Sequence, residues 1–110
     1  MLLGIGGVPY TVARMIADSD LRDIGCHAGT ISGAFLLIHK AGKLTKVRKE
    51  VSQGRPVWNL AIGTHEMCEW PATEPELFRP VCVDFTRSPD RLERMRNVVS
   101  INGRVEIDLL

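Results

Sequence analysis

The chain has 110 residues, 45% apolar and 25% charged, with a formal net charge of +1. That length fits one domain able to bury roughly two thirds of its unfolded surface, and the composition excludes a disordered chain. The balanced charge gives no reason to expect nucleic acid, and the longest apolar run, Ala34-Phe35-Leu36-Leu37-Ile38, is far short of the about 20 residues that cross a bilayer.

Residues 2–5 are a short strand candidate, followed by the turn Gly4-Ile5-Gly6-Gly7-Val8-Pro9. Pro9 suits the first turn of a helix, where its missing N–H costs nothing. Val12, Met15 and Ile16 would form the apolar face of that helix. Residues 24–27 are the next short strand candidate. From 30 to 41 the pattern is helical and apolar on most sides, and Gly42 is a good stop. Residues 43–54 are polar and basic and read as a connection. An apolar strand is expected over 57–62, with a turn at Gly63. Thr64 then caps a helix that begins at His65 and ends at Pro71. Residues 78–85 are expected as a strand, bent or at an edge because of Pro80. Ser88 caps a helix from Pro89 with Leu92 and Met95 facing inward. Residues 98–101 are a strand candidate. Asn102-Gly103 is a hairpin signal, and the alternation over 105–109 suggests a half-exposed final strand.

Strand and helix in alternation imply parallel pairing. The expected fold class is α/β, an open three-layer, mostly parallel sheet, with 1–110 as a single partial domain. In such sheets ligands bind beyond the carboxyl ends of the strands. The turns holding Gly4, Gly6, Gly7 and Pro9, then Gly25 to Gly29, then Gly63, all fall there. The first places bare backbone at a helix N-terminus, which can accept a phosphate or carboxylate or can simply need positive φ. It lacks the dinucleotide spacing.

His27 stands at a strand end and admits two roles, general base or hydrogen-bonding organiser of its loop. Cys26 adjoins it, but strand neighbours point to opposite faces, which makes a dyad unfavourable. Cys26, Cys68 and Cys82 form no metal or redox spacing and are expected as reduced thiols in the cytoplasm; Met1-Leu2-Leu3 lacks the basic start of a secretory signal. His39 and His65 read as surface or helix-end residues, and Trp58 and Trp70 as core or core-edge. Lys40, Lys43, Lys46, Arg48 and Lys49 read as a solvated basic face or as an attractor of acidic ligands.

Taken together, Leu3-Gly4-Ile5-Gly6-Gly7-Val8-Pro9 and Gly25-Cys26-His27-Ala28-Gly29 resemble the C-terminal domain of the acetyl-CoA hydrolase/transferase family, which includes 4-hydroxybutyrate and acetate CoA-transferases. Lys40-Ala41-Gly42, Leu60-Ala61-Ile62-Gly63-Thr64, Leu77-Phe78-Arg79-Pro80-Val81, Asp84-Phe85, Ser88-Pro89, Asn97-Val98-Val99-Ser100-Ile101-Asn102 and Val105-Glu106-Ile107-Asp108-Leu109 are similar to its segments in the same order.

The resemblance implies covalent CoA transfer between an acyl-CoA and a carboxylate. A glutamate attacks the thioester, an acyl anhydride forms, and CoA thiolate returns to give a glutamyl-CoA thioester. Fixed donors stabilise the developing oxyanion. The resemblance places that glutamate at Gly29, the family's asparagine at Arg87, its histidine at His27 and a usual aspartate at Gly33. Gly4, Gly6, Gly7, Pro9, His27 and Gly63 become candidates for contact with CoA or substrate. Coenzyme A is expected as a substrate, with no bound cofactor and no metal.

The family's N-terminal domain and later glycine-rich loop find no match, which implies a partial cleft. The expected partners are acyl-CoA and a small carboxylate, and a subunit carrying the N-terminal half or a second copy of the chain is the protein partner the resemblance admits. Three functions compete: a CoA-transferase segment inactive alone because Gly29 replaces the nucleophile, a non-catalytic CoA- or partner-binding subunit or degenerate fragment, and a small anion-binding α/β module.

Overall fold

A computed structural model describes residues 1–45, 56–76, 78–105 and 108. The elements are β1 (Leu2–Leu3), α1 (Gly7–Asp18), β2 (Thr30–Ile31), α2 (Gly33–Lys40), β3 (Val57–Trp58), β4 (Leu60–Ala61), α3 (His65–Thr73), β5 (Arg79–Pro80), α4 (Val83–Arg87), α5 (Pro89–Glu93) and β6 (Ser100–Ile101).

The strands are short and their pairs are parallel: β1 with β6, β2 with β4, and β3 with β5. Backbone bonds join them into one row. The Met1 ammonium donates to the Gly25 carbonyl at 2.7 Å, and His27 N–H donates to the Met1 carbonyl at 3.1 Å. On the other side Ala28 N–H reaches the Val57 carbonyl at 3.0 Å. The order across the row is therefore β6, β1, residues 24–28, β3, β5. The α/β class and parallel pairing expected from the sequence are present.

Helix α1 buries Pro9, Ala13 and Ile16. The expected face of Val12, Met15 and Ile16 is rotated: Val12 is half-buried and Met15 exposed. The rotation places small Ala13 inward, where α1 packs on α2, and Gly33 leaves space for the Tyr10 ring 3.6 Å from its Cβ position. Helix α2 contributes Ala34, Phe35, Leu36 and Ile38 to the core, as its nearly uniform apolarity demands.

Other expectations need correction. Thr30 and Ile31 pair with β4 instead of opening the helix. The run at 57–62 breaks at Asn59 into two strands with different partners. Pro71 lies inside α3, in its second half, and the helix continues to Thr73. After β5 the chain turns into helix α4 where a strand was expected, because Cys82 accepts from Phe85 N–H and Thr86 N–H. Leu92 and Met95 are only half-buried. Asn102-Gly103 starts no strand at Val105, which is fully exposed; positions 106, 107, 109 and 110 lie outside the described residues.

Thr64 does cap α3, its Oγ1 accepting from Met67 N–H at 3.3 Å. Trp70 is buried and Trp58 packs at the core edge. His39 stacks on Trp70 at 4.7 Å and bonds Glu74 at 3.1 Å, while exposed His65 pairs with Glu69. Lys40 pairs with Glu66 at the surface. Lys43 departs from a solvated face: it is buried, and its Nζ donates to the Ser19 carbonyl at the end of α1. Lys46, Arg48 and Lys49 lie outside the described residues.

Candidate functional site around Gly29

Because the strands run parallel, their carboxyl ends share one edge. Gly4 follows β1, Gly29 follows residues 24–28, Asn59 follows β3, Cys82 lies just beyond β5, and Asn102 follows β6. This is where an open α/β sheet offers a crevice.

Gly29 sits at the end of residues 24–28, third in the row. Its carbonyl accepts from Asn59 N–H and Leu60 N–H, both at 3.0 Å. A Cβ built on Gly29 would lie 3.6 Å from Asn59 Oδ1 and 3.7 Å from both Nε and Nη2 of Arg87. These are ordinary van der Waals distances, so a side chain fits. The structure thus brings Gly29 and Arg87, far apart in sequence, side by side.

His27 belongs to the same cluster. Its ring is 1% exposed, and Nε2 lies 3.0 Å from the Thr86 carbonyl oxygen. A carbonyl only accepts, so Nε2 carries the proton and donates. That fixes the tautomer and removes Nε2 from base chemistry. Thr86, 2% exposed, also accepts from Asn59 Nδ2 at 2.9 Å and donates through Oγ1 to the Val83 carbonyl at 3.0 Å. Residues 27, 59 and 86 therefore form a bonded platform under Gly29 and Arg87.

Sequence reasoning missed Asn59 and Thr86. A signal for Asn59 existed: one amide interrupting an apolar run just after a strand. Thr86 carried none, since its role depends on a bond to a residue 59 positions away.

The other candidate residues group elsewhere along the edge. Gly4 packs so closely against the Asn102 side chain that a Cβ would overlap it. Gly6 has φ 118° and forms the N-cap of α1, and nothing lies within 4 Å of a Cβ at Gly6 or Gly7. Pro9 is fully buried and fills the interior beneath that turn. Gly63 has φ 148°, and its Cβ position is 3.1 Å from Met67 Cγ and 3.8 Å from the Gly33 nitrogen.

Cys26 is buried, Cys68 and Cys82 are exposed, and the three form no disulfide with one another. Among the described residues no group of His, Cys, Asp and Glu is placed to hold a metal ion, and no helix is long and apolar enough to cross a membrane. A groove between α2 and α3, lined by His39, Lys40, Glu66, Trp70 and Glu74 among others, shares no residue with the Gly29 cluster.

No protein-family model matches the chain. Individual proteins do. A butyryl-CoA:acetate CoA-transferase of Anaerostipes caccae is 39% identical over 107 residues, 97% of this chain and 24% of that protein. The chain is CoA-transferase-like from end to end. Solved structures agree with that likeness. A 4-hydroxybutyrate CoA-transferase from Porphyromonas gingivalis superposes with a TM-score of 0.85 at 25% identity, covering 96% of this chain and 27% of the other. RipA from Yersinia pestis superposes at 0.79 with 31% identity, covering 90% and 22%. The chain spans about a quarter of the length of the curated CoA-transferases it matches.

Proposed function

We propose that this chain is part of a CoA-transferase-type C-terminal domain in which position 29 has lost its covalent role, and that it does not itself carry an acyl group or CoA between substrates. One observation carries the reading. The place that the family resemblance gives to a nucleophilic glutamate holds Gly29, and the nearest side chains are an amide and a guanidinium. Neither is a nucleophile toward a thioester. The ligands that this reading implies are an acyl-CoA and a small carboxylate, met at the strand ends in the cytoplasm.

The partner-binding form of the same reading draws support from the first glycine turn. Ile5 and Val8 there are 57% and 55% exposed, and such apolar surface favours association. An N-terminal-half subunit or a second copy would be the occupant.

The test is incubation with acetyl-CoA, reduction with borohydride, and intact mass measurement. The expected result is an unchanged mass. A mass decrease of about 14 Da, from a glutamyl or aspartyl side chain held as a CoA thioester and reduced to the alcohol with release of CoA, would overturn the proposal.

A further inference from the structure

We infer that Arg87, facing the bare Cα of Gly29, forms a non-covalent binding site for a small carboxylate. The inference rests on the reading that position 29 no longer reacts, and it names what the altered site takes instead.

The two donors nearest the Gly29 Cβ position are Nε and Nη2, both at 3.7 Å. These nitrogens share one edge of the guanidinium and are the pair that can grip both oxygens of a carboxylate. Arg87 is exposed, and among the described residues no Asp or Glu forms an ion pair with it. The neighbouring arginines differ: Arg91 lies over the Phe85 ring at 3.9 Å and Arg79 at 5.9 Å.

Asn59 sharpens the chemistry. Its Nδ2 donates to Thr86 Oγ1, whose own proton goes to the Val83 carbonyl. The amide therefore stays oriented with Oδ1 toward Gly29. An acceptor there repels an oxyanion, which directs it to the Arg87 edge. Among the described residues Arg87 is the cation nearest Gly29, and a single guanidinium matches one negative charge better than a phosphate dianion. Glycine matters because it leaves that edge open. Any β-carbon would stand against both donors, although the backbone has room for it.

The experiment titrates the full chain with sodium acetate at constant ionic strength, with sodium chloride as the balancing salt. The Arg87 Nε–H and Gly29 amide NMR signals report binding. A saturable shift of both is expected, with inorganic phosphate at least several-fold weaker. Arg87→Gln and Arg87→Lys should each weaken acetate binding tenfold or more at the Gly29 amide; lysine keeps the charge without the two-donor edge, and it serves if the glutamine variant fails to fold. Gly29→Ala should weaken binding similarly with the unfolding midpoint kept.

Non-saturable shifts, equal shifts with chloride, or unaltered binding in these variants would overturn the inference. A covalent adduct in the mass experiment would instead remove the reading of position 29. Lack of acetate binding in a chain that forms no adduct removes this inference alone.

Discussion

His27 Nε2 donates to the Thr86 carbonyl across a gap of 59 residues, at 3.0 Å and out of solvent. The bond ties residues 24–28, third in the row, to the last turn of α4. It sets Arg87 beside Gly29, since Arg87 is the next residue. Replacing His27 with alanine removes the donor, leaves a buried carbonyl lone pair unmet and opens a void. The expected loss is about 2–4 kcal/mol of unfolding free energy. Urea denaturation of His27→Ala checks it; a loss below about 1 kcal/mol would show that the bond organises little.

Thr64 and Ser88 both stand at helix N-caps, but only Thr64 accepts a side-chain bond, from Met67 N–H. Thr64→Ala should therefore cost about 1 kcal/mol, and Ser88→Ala clearly less. Thermal unfolding of the two variants side by side gives the comparison. Equal losses would mean that the Thr64 bond adds nothing beyond the residue type.

At Gly63 the backbone has φ 148°, and a β-carbon would press on Met67 Cγ and Cβ at 3.1 and 3.2 Å. Strain and contact act together there, so Gly63→Ala should lose about 1–3 kcal/mol. Gly7→Ala is the control, since nothing lies within 4 Å and its φ is not in the left-handed region. Its midpoint should move little in the same denaturation series.

The sequence made the parallel α/β class legible because apolar strands alternate with amphipathic or apolar helices. It also marked the strand ends as the candidate binding edge, since Gly4, Gly29 and Gly63 fall after apolar runs. Thr30 and Ile31 were not legible as a strand. They continue into an apolar helix without a break, and only pairing with Leu60 and Ala61 separates them. Val81 and Val83 gave a β-like pattern through 85, yet α4 forms because Cys82 can accept from two later amides. The cluster at Gly29 was half legible. The motif located Gly29 and His27, whereas Asn59 and Thr86 matter through bonds between strands that no local pattern encodes.

Gly29→Glu tests whether a carboxylate at position 29 would by itself supply the reaction that the resemblance implies. The structure accepts a β-carbon at ordinary contact distances from Asn59 and Arg87, so the variant should fold. Its new carboxylate would lie within reach of the Arg87 guanidinium, and a charge-assisted pair should form. Arg87 is exposed, so the pair should add only about 0.2–1 kcal/mol. The paired carboxylate is a poorer nucleophile, and the resemblance expects an asparagine amide where Arg87 stands. Acetyl-CoA:carboxylate transfer by Gly29→Glu should therefore stay undetectable. Gly29→Glu with Arg87→Asn should lose the added stability, and that difference isolates the pair in a double-mutant cycle. Measurable turnover by the single variant would show that Arg87 does not quench a carboxylate at this position.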